Sequence, residues 1–130
     1  MNWKPKKIID ITQQLPSFKL LKKAVWKLYQ KDIIRNPYEV LKDQHGTYGY
    51  RYGHFILLAK KEVYGNIVSF HKKAVLKAME FNIPILLWLD SNKEFYLFDP
   101  EEVYNNSERN YKGSTEMLNC SIKLGKRWTL

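Results

Sequence analysis

Apolar residues recur along the chain at two periods, which separate predicted helices from predicted strands. Spacings of three and four residues predict a first helix from about Phe18 to Gln30, with Ser17 as its N-cap. The same spacing predicts a second helix from about Ile67 to Phe81. Residues 1–16 precede the first helix and are expected to form an N-terminal arm.

Strand patterns fill much of the remaining chain. An extended segment is predicted over Tyr38–Lys42, and a turn follows at residues 43–47. One long β segment is predicted from Tyr48 to about Lys61, and its centre is apolar on both faces. A buried strand is predicted at Ile83–Leu89, and a hairpin leads from it to a returning strand at Glu94–Phe98.

The last third of the chain carries a helix signal and one more strand. Asp99 is an expected N-cap, and Pro100 follows it at the first helical position. A polar loop is predicted from Tyr104 to Thr115, before a last strand that contains Leu118 and Cys120. The crossover through the second helix predicts a βαβ unit. The expected fold class is therefore α/β, with a mixed β-sheet flanked by helices in one small domain spanning residues 1–130.

The net charge of the chain limits the classes of partner that we expect. The chain has 130 residues and balances 22 Lys and Arg against 13 Asp and Glu, for a formal net charge of +9. A domain this basic attracts polyanions, so nucleic acid is the expected partner, although a Lys-rich solubilising surface is the alternative. Cys120 is the single cysteine, which excludes an internal disulfide and favours the cytoplasm. The longest apolar run, Ile83–Leu89, is too short to span a membrane, so no membrane partner is expected.

A stretch rich in glycine and tyrosine, residues 46–54, is the strongest local signal for binding. Tyrosine rings offer stacking faces for bases, and an arginine pairs with phosphate. A hairpin whose tyrosines cover the edge of the core is the alternative. The predicted nucleic-acid contacts are Tyr48, Tyr50, Arg51, Tyr52, Lys61, Lys72 and Lys73.

Carboxylates near the long strand are candidates for metal chemistry. Phosphodiester cleavage with Mg²⁺ needs two or three carboxylates and a lysine that steadies the phosphate. If the protein is catalytic, Asp43 and Glu62 are the expected Mg²⁺ ligands and Lys60 is the expected charge stabiliser. His54 is a candidate acid or base, with a structural histidine at the edge of the core as the alternative. Solvated charges at strand ends are the alternative for each carboxylate.

The order of elements resembles the PD-(D/E)XK nuclease superfamily, which includes Holliday-junction resolvases and restriction enzymes. Residues 54–62, with sequence HFILLAKKE, are similar to the strand that carries the Glu-x-Lys motif in that family. The similarity covers roughly Phe18 to Val103. Leu58 or Ala59 stands where the family has its glutamate. The resemblance therefore implies a restriction-endonuclease-like fold, DNA rather than RNA as substrate, Mg²⁺ as cofactor and a homodimer.

Within this resemblance, either Glu62 or Glu39 has taken over the role of the missing motif glutamate, or only binding survives.

Two further functions remain open. A metal-independent RNA endonuclease would use Tyr50 or Tyr52, His54 and Lys72, by analogy with a tRNA-splicing endonuclease. A protein-interaction module without nucleic acid would use the tyrosines and exposed strand edges.

Overall fold

The computed structural model describes residues 39–128 and a few positions before them. Of these earlier positions, Leu20, Ala24, Val25, Lys27, Leu28 and Gln30 are helical, and Lys31 follows in a turn. Their helical state agrees with the first predicted helix. The bounds of that helix and the predicted arm at residues 1–16 lie outside the described residues.

Nine strands and two further helices make up the described fold. In chain order the strands are β1 (Glu39–Asp43), β2 (Gly46–Arg51), β3 (Ile56–Lys60), β4 (Ile67–His71), β5 (Ile85–Leu89), β6 (Glu94–Phe98), β7 (Glu108–Lys112), β8 (Thr115–Ser121) and β9 (Lys126–Trp128). Helix α1 (Lys72–Phe81) follows β4, helix α2 (Pro100–Asn106) follows β6, and a 3₁₀ turn (Ile122–Leu124) follows β8. No helix among the described residues is long and apolar enough to cross a membrane.

The strands form two sheets. The larger sheet has the order β1-β2-β3-β5-β6-β9, and the smaller sheet has the order β4-β8-β7. Strands β3 and β5 are parallel, with Leu57 opposite Leu86, whereas the other pairs in the larger sheet are antiparallel. A parallel pair needs a crossover, and the chain between β3 and β5 supplies it through β4 and α1. The predicted α/β class with a mixed sheet is confirmed.

The larger sheet is covered on both faces, which explains the apolar centre of its strands. Leu87 points into one core cluster, together with residues of α1, α2 and the smaller sheet such as Phe70. Trp88, the next residue, points into a second cluster with Leu28 of the N-terminal helix. This alternation along β5 gives each face its own core.

The predicted long strand is in fact two antiparallel strands. β2 ends at Arg51 and β3 begins at Ile56, and the chain turns through Gly53 and His54 between them. The apolar pattern of β3 was recognised correctly, but the polar and aromatic start belongs to a neighbouring strand.

The predicted second helix also begins later than expected. Residues Ile67–His71 form strand β4, and α1 starts only at Lys72. In β4, Val68 and Phe70 are buried while Ile67 is exposed, which is the alternation of a strand. Ile67, Phe70 and Ala74 also fit a helical stripe, and that ambiguity of short apolar runs produced the error.

The predicted polar loop from Tyr104 to Thr115 is wrong as well. Helix α2 continues to Asn106, and strand β7 pairs with β8 across a turn at Gly113. Every residue of β7 is exposed, so the strand lacks the apolar alternation by which sequence patterns identify strands. Asp99 does cap α2, since its carboxylate accepts the backbone N–H of Glu101 at 2.9 Å.

Candidate nucleic-acid interface

Two adjoining cavities of about 350 and 510 Å³ form a groove where the two sheets meet. Both are lined by Asp43, His45, His71, Ser114 and Thr115, so we call this feature the Asp43 groove. The β1–β2 turn forms one wall, the start of α1 forms the floor, and the β7–β8 hairpin forms the opposite wall.

Asp43 is the last residue of β1, and its carboxylate accepts two hydrogen bonds and lies near the His71 imidazole. The backbone N–H of His45 donates to Oδ1 at 2.8 Å, and the ammonium of Lys73 donates to Oδ2 at 3.1 Å. The Nε2 atom of His71 lies 3.5 Å from the same Oδ2. The hydrogen bond from His45, followed by that from Lys73, lowers the pKa of Asp43 below its ordinary value.

His71 is the N-cap of α1 and is enclosed on several sides. Its Nδ1 accepts the backbone N–H of Lys73 at 3.2 Å, and the ring of Tyr48 stacks on it with a centroid distance of 4.5 Å. Burial lowers the pKa of His71, and the charge of Asp43 opposes that shift. His71 is therefore an oriented imidazole whose charged form is disfavoured by burial.

The β7–β8 hairpin contributes groups that sequence patterns did not single out. The hydroxyl of Ser114 lies 3.0 Å from Nε2 of His45, which joins the two walls of the groove. Lys112 lines the larger cavity, and Glu116 lines the smaller one. Gly113, at a positive φ of 64°, was the one available sequence signal for this hairpin.

Lysines outnumber carboxylates around the groove. Glu116 accepts the ammonium of Lys72 at 3.2 Å and lies 3.7 Å from Arg109, while Lys73 is paired with Asp43. Lys60 lies at the end of β3. Burial, and then the positive charge of Lys112, lower its pKa. Among the described residues, neither Lys60 nor Lys112 has a carboxylate partner.

The predicted Mg²⁺ site does not fit these residues. Magnesium requires oxygen ligands that are free to coordinate. Both carboxylates of the groove, Asp43 and Glu116, are engaged by lysine ammonium groups. Glu62 is exposed beyond β3 and accepts the hydroxyl of Tyr64 at 3.0 Å. Within the described part of the chain, no group of three His, Cys, Asp or Glu side chains is arranged so that it could hold a metal ion.

The three predicted stacking tyrosines lie in different environments. Tyr50 and Tyr52 are only 1% and 6% exposed and belong to the second core cluster, so they cannot stack on bases. Their prediction is corrected in favour of the alternative, in which tyrosines cover the core. Tyr48 is half-buried, and its ring faces the groove.

The four residues predicted to bind phosphate with a positive charge also lie in different environments. Arg51 pairs with Glu39 at 3.1 Å and lies over the ring of Phe81, so it serves the fold. Lys72 is neutralised by Glu116, whereas the side chain of Lys73 is 57% exposed beside the groove. Lys61 is exposed immediately after β3.

His54 lies at the wrong end of the sheet to act with the groove. It is exposed in the β2–β3 turn, whereas Asp43 is opposite Gly46 at the other end of β2. Six residues of strand separate these ends by about 17 Å. The same separation divides the predicted set of Tyr50 or Tyr52, His54 and Lys72, because Lys72 lies at the groove.

Comparison of the chain with protein-family models, curated proteins and solved structures found no match.

Proposed function

We propose that the protein binds nucleic acid by taking backbone phosphates into the Asp43 groove. The observation that carries the proposal is the pair Lys60 and Lys112, whose positive charges act on each other and which have no carboxylate partner among the described residues. Lys112 lines the groove, and the charge of Lys60 at the end of β3 also acts on His71, which lines it too. Like charges side by side raise the free energy of the folded protein unless an anion lies between them. A phosphate group supplies that anion.

The surroundings of this pair support a phosphodiester rather than a small carboxylate. The ammonium of Lys73, the hydroxyl of Ser114 and the imidazole of His45 border the same groove. Hydroxyl and ammonium groups are usual donors to phosphate oxygens. The groove also continues through two adjoining cavities, which suits a chain of phosphates.

We infer a nuclease-like arrangement from the order of the elements. The N-terminal helix, the β1–β2–β3 meander, helix α1 and the parallel strand β5 occur in the order that the resemblance to PD-(D/E)XK nucleases implies, although strand β4 of the smaller sheet is inserted before α1. Leu58 or Ala59 stands in the place of the motif glutamate, and neither side chain can bind a metal; Leu58 lies in the core. We therefore propose a nuclease-like fold retained for binding. The buried thiol of Cys120 supports action in the cytoplasm.

The test is a binding series with Lys60→Ala/Lys112→Ala. Fluorescence anisotropy of labelled single-stranded DNA, duplex, four-way junction and RNA is recorded over a range of salt concentrations. We expect the double variant to bind more weakly and to lose about one unit of salt slope per lysine.

The matched control is Lys123→Ala/Lys126→Ala, which removes the same charge from exposed positions at the far end of both sheets. It should keep most of the affinity. An unchanged salt slope in the Lys60/Lys112 variant would overturn the proposed site. Absence of binding by the natural protein at low salt would leave the protein-interaction module as the remaining function.

One observation favours a second candidate, metal-independent RNA cleavage. The ring of Tyr48 lies on that of His71, and the charge of Lys60 acts on the same imidazole. A tyrosine, a histidine and a lysine are the groups that such cleavage uses, although the sequence had indicated other members of each type. RNA cutting that persists in EDTA and disappears in His71→Gln would establish this activity.

A further inference from the structure

A third cavity, of about 390 Å³, opens on the opposite face of the larger sheet. Its lining includes Lys27, Trp88, Lys93, Phe95, Arg127 and Trp128. These residues come from the N-terminal helix, β5, the β5–β6 turn, β6 and β9. The cavity therefore combines aromatic rings with cationic side chains.

The aromatic rings are fixed in place. The centroids of Trp88 and Phe95 are 4.9 Å apart, and those of Phe95 and Trp128 are 5.8 Å apart in an edge-to-face arrangement. The indole N–H of Trp88 donates to Asp90 at 3.2 Å. Trp88 and Phe95 are buried, whereas Trp128 is half-buried, so Trp128 is the ring that a ligand reaches most readily.

The charge around these rings is mainly positive. The ammonium of Lys27 lies 5.0 Å from the centroid of the Trp88 ring. Lys93 and Arg127 are exposed at the same cavity. Glu94 is the one carboxylate among the described residues that line it, and it pairs with Arg127 at 2.8 Å, while Asp90 is hydrogen-bonded to the Trp88 indole. A flat ring bordered by cations matches a nucleobase attached to its phosphate.

The register places this cavity and the Asp43 groove at the same end of the sheet. Lys60 at the end of β3 is opposite Leu89 of β5, which is opposite Glu94 of β6. Trp128 of β9 is opposite Phe95, next to Glu94. Three strand spacings therefore separate Lys60 from Trp128, about 14 Å.

We propose that the Trp128 cavity binds an unpaired base of a single strand whose phosphates lie in the Asp43 groove. The inference rests on the proposed function and names its substrate class as single-stranded nucleic acid. The strand passes from one face of the sheet to the other over the rim formed by Lys61 and the β5–β6 turn. Duplex DNA has a persistence length of about 50 nm and cannot bend around such a rim, whereas a single strand can.

The test compares two labelled strands of about ten nucleotides, oligothymidylate and an abasic strand of the same length and charge. Both offer phosphates to the groove, but only oligothymidylate offers bases. We expect the natural protein to bind oligothymidylate at least about fivefold more tightly than the abasic strand. Trp128→Leu should bind both strands alike, and Trp128→Phe should keep a smaller preference because it retains a ring.

Each outcome addresses one of the two proposals. Equal binding of the two strands by the natural protein overturns the base site and leaves the phosphate groove intact. A base preference that survives in Trp128→Leu also overturns the base site. Binding of oligothymidylate without any binding of the abasic strand at low salt overturns the phosphate groove instead. The thermal unfolding of both variants is followed in parallel, and Trp128→Phe keeps the test decisive if Trp128→Leu does not fold.

Discussion

Nε2 of His71 lies 3.5 Å from Oδ2 of Asp43, although the two residues belong to different sheets. Asp43 ends the first strand of the larger sheet, and His71 ends the first strand of the smaller one. Their contact, together with the bond from Lys73, holds the β1–β2 turn against the start of α1. The geometry of the groove therefore depends on this junction between sheets.

The junction should make stability depend on pH in a defined direction. Burial, followed by the charges of Lys73 and Lys60, lowers the pKa of His71 in the folded protein, against the opposing effect of Asp43. Near pH 6.5, His71 therefore takes up a proton in the unfolded chain but resists protonation in the folded protein. The free energy of unfolding should fall as the pH decreases below about 6.5.

His71→Asn tests this dependence, because asparagine is also a good N-cap for α1 but does not titrate. Urea denaturation across the pH range should give a flatter slope for this variant than for the natural protein. His54→Gln, at an exposed turn, measures the effect of removing any histidine. An equally steep slope in His71→Asn would contradict the assignment.

Lys60→Met should make the protein more stable and its binding weaker. The substitution removes a largely buried cation beside Lys112 and keeps the aliphatic volume, so we expect a gain of about 1 kcal/mol in chemical denaturation. Nucleic-acid affinity should fall in the same variant. Lys61→Met, at the exposed neighbouring position, should change stability by no more than about 0.5 kcal/mol.

Asp43→Asn distinguishes a phosphate groove from a metal site. Removing a negative charge beside Lys73 should tighten nucleic-acid binding by up to about fivefold, while the melting temperature falls because Lys73 loses its ion pair. Glu116→Gln should tighten binding similarly, whereas Glu101→Gln on α2 should not. Loss of binding or of a cleavage activity in Asp43→Asn would instead indicate a metal ligand.

Local patterns predicted those elements whose signals are contained within one segment. The buried strand that ends at Leu89, the hairpin after it and the cap at Asp99 were all correctly located. Each of these elements follows from a short apolar run or from the composition of a turn, and contacts with distant residues do not change it. The predicted site residues Asp43, Tyr48 and Lys73 line the groove, although Asp43 was predicted as a metal ligand and here pairs with Lys73.

The remaining site residues depend on contacts that a linear pattern does not contain. Glu116 neutralises Lys72 from the smaller sheet, and Ser114 reaches His45 across the groove. Those pairings arise because β4 and β8 lie side by side. Tyr50 and Tyr52 were misplaced for a related reason, since the second core that buries them includes the N-terminal helix.

Tyr50→Phe tests that second core directly. The hydroxyl of Tyr50 is buried without a hydrogen-bond partner among the described residues, so its removal should stabilise the protein by about 1 kcal/mol. Nucleic-acid affinity should not change, as measured by anisotropy. Tyr96→Phe is the opposite control, because the Tyr96 hydroxyl bonds Glu94 at 3.1 Å and its loss should destabilise.

Gly49→Ala tests why a glycine stands in the middle of β2. A Cβ at this position would lie 2.7 Å from Cδ2 of Leu58, so we expect a loss of about 1–3 kcal/mol in the free energy of unfolding. Adding Leu58→Ala should make the combined loss smaller than the sum of the separate losses. Strict additivity would show that the two side chains do not compete for space.

The two walls of the groove differ in how firmly they belong to the core. Strand β7 has no buried side chain and, among the described strands, pairs only with β8. The bond between His45 and Ser114 fastens its turn to the opposite wall. Detaching β7 exposes little apolar surface, so the wall that carries Lys112 can open at a small fraction of the global unfolding free energy. One wall of the groove is therefore fixed to the core, whereas the β7–β8 hairpin can move. A binding affinity measured at the groove includes the free energy of the equilibrium between the attached and the detached hairpin.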